Sequence, residues 1–147
     1  MSGAEHSGTA SRWMQYARED LSLAERIVGS RENAARHACF LAQQAAEKAI
    51  KAGLVFLRVG FPKIHDLERL HELLPGEWSL DEECEDFEAL SDWAVDARYP
   101  EDFGDPSWEE AERAVGQARC VVAAIGERLS SASLTPGEDG DSPEVEQ

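Results

Sequence analysis

The chain has 147 residues, 42% of them apolar, and 30 acidic against 14 basic side chains give it a net charge of −16 at neutral pH. That length suits one domain with a real apolar core. The charge excludes a protein that holds nucleic acid by bulk attraction to phosphates, so DNA binding is not expected and any RNA contact needs a local basic cluster.

Residues 1–10 are small and polar and read as a disordered leader. The first helix is expected over about residues 11–28, where Trp13, Ala17, Leu21, Ala24 and Val28 step by three and four along one face. Asp20 lies at the edge of that stripe, either as a partly solvated acid or as the partner of a basic group such as Lys48 or Arg98. Gly29 and Ser30 end the helix, and Asn33 is placed to cap the next.

Residues 40–57 contain no proline and one glycine, and they form the central helix. Ala42, Ala46, Ala49 and Gly53 make a small-residue seam that lets a neighbouring helix approach closely. Leu41, Ile50, Leu54 and Leu57 supply bulk, and Gln44, Glu47, Lys48 and Lys51 form a polar stripe. Gly60-Phe61-Pro62 stops this helix. His65 or Asp66 then caps a short one whose Leu67, Leu70, Leu73 and Leu74 face inward. A fourth helix is expected over residues 80–95. The last begins at Asp105-Pro106-Ser107, with Pro106 at a first helical position or Ser107 and Glu110 as a capping box.

The last helix carries a wide apolar arc from Ala111 to Leu129, wider than a monomeric bundle needs. From residue 131 the chain is rich in Ser, Gly and Pro, carries Glu138, Asp139, Asp141, Glu144 and Glu146, and reads as a disordered acidic tail. The expected architecture is therefore an all-α, up-down four-helix bundle with one additional short helix, occupying residues 11–130.

Cys39, Cys84 and Cys120 are isolated on predicted helices and form no Cys-x-x-Cys pair. They are expected to be buried free thiols in a reducing cytoplasm, with neither a zinc site nor a redox motif. The polar start and the lack of a long apolar run point to a cytoplasmic protein with no membrane segment. Of the tryptophans, Trp13, Trp93 and Trp108 fall on apolar stripes, and Trp78 is expected to remain partly exposed in its loop.

Residues 42–51 read Ala-Gln-Gln-Ala-Ala-Glu-Lys-Ala-Ile-Lys and are followed by His65-Asp66-Leu67 and Leu70. With Trp13, Ala17, Asp20, Leu21 and Ala24 before them and Ala97-Arg98-Tyr99-Pro100 after them, these blocks resemble the HEPN family. Those are helical domains named for nucleotide binding in higher eukaryotes and prokaryotes, and the resemblance covers roughly residues 11–129. It implies a homodimer. It also implies a possible pairing with a minimal nucleotidyltransferase that modifies a tyrosine near the active motif, for which Tyr99 is the candidate here.

The family's ribonucleases carry an arginine followed, after four to six residues, by a histidine at the start of the last helix. The histidine moves a proton and the arginine steadies the phosphorane charge, without metal. Arg98 fits the arginine, but Phe103 stands where a histidine could serve and cannot transfer a proton. Arg58 and His65 have a similar spacing, at the end of the central helix instead of before the last. His37 and His71 are expected on exposed surfaces. No Gly-rich phosphate loop occurs, and no cofactor or metal is implied.

The reading that follows is a non-catalytic, dimeric module for a nucleotide or a partner protein, with Arg98, Tyr99, Lys48 and His65 lining the binding groove. The alternative is a metal-independent HEPN ribonuclease toxin of a toxin–antitoxin pair, using His65 as the histidine with Arg98, or with Arg58 at the similar spacing. In a purely structural reading Arg98 instead pairs with a carboxylate such as Asp20 and fixes the turn.

Overall fold

A helix lined with alanine can be surrounded on every side, and that property sets the architecture. The computed structural model describes residues 3–94 and 104–133. Among them are four α-helices and no strand: α1 (Gly3–Ser30), α2 (Ala35–Phe56), the short α3 (Leu67–Glu72) and α4 (Trp108–Ser133). In α2 the small residues Ala38, Ala42, Ala45, Ala46, Ala49 and Ala52 are all buried, so α1 and α4 both pack closely against it. Ile50 and Leu54 of α2 join Met14 of α1 and Val121 and Ile125 of α4 in one continuous core. The fold is the all-α helical bundle expected from the periodicity.

Three local expectations give way. Residues 3–10, read as a leader, belong to α1, whose alanines and lack of proline favour continuation, and Ala10 is buried. Of the stretch 80–95 expected as a helix, the described residues 80–94 are not a continuous α-helix. Turns lead through Asp86, which takes a left-handed conformation (φ 59°), into a 3₁₀ helix at Phe87–Trp93. Asn33 does not cap α2, because it too is left-handed (φ 66°), and the cap position falls to Ala34 without a side-chain bond.

The other helix starts follow their signals. Asp66 caps α3, its Oδ1 accepting from the N–H groups of Glu68 (3.0 Å) and Arg69 (3.3 Å). Ser107 and Glu110 form a reciprocal capping box on α4. The Ser107 N–H donates to Glu110 Oε1 (2.9 Å) and the Glu110 N–H donates to Ser107 Oγ (3.0 Å).

Further corrections come from tertiary packing. Trp78 is buried, its ring 6.1 Å from that of Phe56 and lying against Gly53, where the missing side chain leaves room. His71 is buried, not exposed, with Nε2 accepting from the Leu80 N–H (2.9 Å) and its ring edge-on to Phe87 at 5.0 Å. Leu73, expected inside, is exposed. Cys84 and Cys120 are not free thiols: the turns before Phe87–Trp93 pack on α4 and bring their Cα atoms to 5.7 Å, where they are bonded. Cys39 stays a buried thiol. The apolar arc of α4 is largely taken up inside the molecule, since Ala111, Ala114, Val115, Ala118, Val121, Val122 and Ile125 are all buried. Among the described residues no helix is long and apolar enough to cross a membrane.

Candidate functional site

Gln43, Glu47 and Lys51 follow one another at four-residue steps, which sets them in a single row on α2. The loop after α2 folds back over that row and brings His65 to it. Lys51 Nζ donates to Glu47 Oε2 at 2.8 Å, and Gln43 Nε2 donates to Glu47 Oε1 at 2.9 Å. The Glu47 carboxylate also faces His65 Nδ1, at 3.0 and 3.2 Å from its two oxygens. Gln43 Nε2 reaches the backbone carbonyl of His65 as well (3.1 Å), and Gln44 Nε2 donates to Gln43 Oε1 (2.8 Å). The histidine is thus held at both its ring and its main chain.

Burial makes this cluster unusual. Glu47 is 4% exposed and Lys51 7%, with Gln43 fully enclosed, whereas the His65 side chain is 47% exposed. Lys51 is further enclosed by aromatic faces, its Nζ lying 5.7 Å from the Trp13 ring centre and 5.6 Å from that of Phe61. Burial alone would raise the Glu47 carboxyl. Hydrogen bonds from Lys51, Gln43 and His65, together with the charge of Lys51, outweigh it and hold the carboxyl below its ordinary value of 4.5. An ionised carboxylate can only accept, so the Nδ1 facing it carries the proton. The arrangement is a buried acid that fixes the tautomer and direction of a half-exposed imidazole, as the acid of a catalytic triad does.

Beside the row, Lys48 Nζ donates to Asp20 Oδ2 of α1 at 2.6 Å, the first of the two partners foreseen for Asp20. Both lysines of the cluster are therefore matched by a carboxylate. Arg58 does not join it: exposed and left-handed (φ 63°), it closes α2 through its own N–H to the Val55 carbonyl (3.0 Å). His37 is exposed on the first turn of α2. Arg98, Tyr99 and Phe103 lie outside the described residues. Of the residues singled out from sequence, the structure brings His65 and Lys48 to the same stretch of α2. Gln43 and the buried pair Glu47–Lys51 were missed as site residues, although the 43–47–51 spacing was there to be read.

The sequence pattern of the HEPN domain matches residues 10–129. Among solved structures, that of TT1696 from Thermus thermophilus superposes with a TM-score of 0.66 at 28% identity, covering 81% of this chain and 97% of that one. An archaeal HEPN homologue, ST0689, superposes with a TM-score of 0.64 at 21% identity, covering 82% and 97%. No curated protein matches.

Proposed function

The chain belongs to the HEPN family, and from that premise we propose that it is a non-catalytic, dimeric binding module for a nucleotide or a partner protein, the partner candidate being a minimal nucleotidyltransferase. The ligand meets His65 and Lys48, and Arg98 and Tyr99, outside the described residues, are the other candidates for its contacts. One observation carries this reading: the charges of the cluster are matched internally, Lys51 by Glu47 and Lys48 by Asp20, and the half-exposed His65 imidazole is held in a fixed direction against that network. A single oriented imidazole is a good donor or acceptor for a base edge or a phosphate oxygen.

Self-association is part of the proposal. An open groove of about 680 Å³ between α1 and α4 supports it, lined by Arg18, Leu21, Val122, Ala123 and Gly126 among others and sharing no residue with the His65 cluster. Light scattering on the purified chain reads the stoichiometry directly.

The second reading, a ribonuclease, has one observation in its favour. The Glu47–His65 pair has the geometry of an acid-assisted general base. Incubating the full chain with labelled RNA in a chelator separates the two. The binding module leaves the RNA intact. Metal-independent cleavage that disappears in both Arg98→Ala and His65→Ala makes the protein a ribonuclease.

A further inference from the structure

Cys84 and Cys120 stand 36 positions apart and join the turns ahead of Phe87–Trp93 to the middle of α4. Phe87–Trp93 in turn supports α3. Ser91 Oγ accepts the Leu67 N–H at 2.6 Å, and the Phe87 ring packs against His71 in a T-shaped contact. A six-residue helix has no stability of its own, so α3 depends on such contacts and on α2. Leu67 is two residues from His65, and Asp66 between them is the α3 cap. A continuous chain of contacts therefore runs from the sulfur pair through Ser91 to the loop that presents His65.

We propose that the Cys84–Cys120 bond is a reversible redox latch, closed when oxidised, that sets how firmly Phe87–Trp93 holds the start of α3 and the His65 loop. Cys84 is buried and Cys120 partly exposed, so an incoming thiolate meets the Cys120 sulfur and Cys84 leaves. Two molecules of a small thiol such as glutathione supply two electrons and two protons. The S–S bond breaks, Cys84 and Cys120 each end as a thiol, and the small thiol leaves as its own disulfide. The reverse exchange with that disulfide closes the latch.

Opening the bond does not dismantle the bundle. The core of α1, α2 and α4 contains no other disulfide, Cys39 being the one remaining cysteine. Other links still hold the region to α4. Gln117 Nε2 donates to the Asp86 carbonyl (3.1 Å), and Arg128 donates to the Ser79 carbonyl (2.8 Å) and to the Glu83 carboxylate. Phe87 and Leu90 remain as buried anchors. What reduction changes is the local opening of the least regular part of the fold, the part next to the candidate site. The latch works whatever His65 binds, and its test reads the backbone.

The test is amide hydrogen exchange on the full chain, poised with glutathione disulfide or with glutathione, the bond state being checked by thiol alkylation and mass. Reduction is expected to speed exchange at the Leu67 amide about tenfold or more, with core amides such as Ala45 and Ala46 little changed. Cys120→Ser should behave as the reduced protein at either poise, and Ser91→Ala should exchange fast at Leu67 in both. Equal Leu67 rates with the bond open and closed would overturn the proposal. So would acceleration spread evenly over the whole chain, or failure of the bond to form in glutathione disulfide.

Discussion

Glu47 is the residue on which the candidate site turns, because three donors converge on its buried carboxylate. Removing one member of a buried ion pair strands the other, so Glu47→Ala should destabilise the protein by about 3–5 kcal/mol. The double replacement Glu47→Leu with Lys51→Met should lose less than Glu47→Ala alone, since no buried charge is left over. Urea unfolding of the three proteins checks the order. The pH dependence follows from the direction of the carboxyl's shift. Its folded value lies below the ordinary 4.5, so its contribution is complete above that pH and is lost as pH falls through the folded value. The stability gap between wild type and Glu47→Gln should therefore narrow as pH is lowered from about 5 to about 3. His71 makes a second residue-scale case. His71→Phe preserves the ring against Phe87 but leaves the buried Leu80 N–H without its acceptor, and should lower stability by about 1–3 kcal/mol in the same assay.

At the scale of elements, the helix signals differ in how much they determine. The Ser107–Glu110 box is a purely local device, and Ser107→Ala should cost about 1 kcal/mol, read from thermal unfolding. Gly53 sits inside α2, where an added Cβ would meet Trp78 Cζ3 at 3.4 Å and Ile125 Cδ1 at 3.6 Å, ordinary contact distances. Gly53→Ala should therefore be tolerated and should raise stability by up to about 1 kcal/mol through helix propensity. Periods of three and four residues made α1, α2 and α4 legible, and Asp66 and Ser107 marked their helices. Residues 80–95 misled because Cys84, Phe87 and Leu90 are buried at a helix-like spacing, while the left-handed Asp86 and the bond to Cys120 are set by packing on α4. The site was legible in part. His65 stood out beside the start of α3 and Lys48 on the polar stripe of α2, but the burial of Glu47 and Lys51 depends on a loop folding back over α2. Charge alone makes such residues look like a solvated face. His71 and Trp78 went inside for the same reason, each finding a tertiary partner that lies far off in the sequence or on another element.

For the whole molecule, the family and the all-α bundle define the frame, and the distribution of charge within it bears on what the protein does. A chain of net charge −16 that matches its site lysines with buried or half-buried carboxylates is poorly suited to gripping a polyanion. It is better suited to a small ligand or a protein surface met by one oriented imidazole. The direct measurement for the central claim is the imidazole NMR signal of His65 as ATP is titrated into the full chain. A binding module predicts a saturating shift at His65 that is weakened when Lys48 is replaced by alanine. An unmoved His65 signal at saturating ATP and at a saturating purified partner would contradict it.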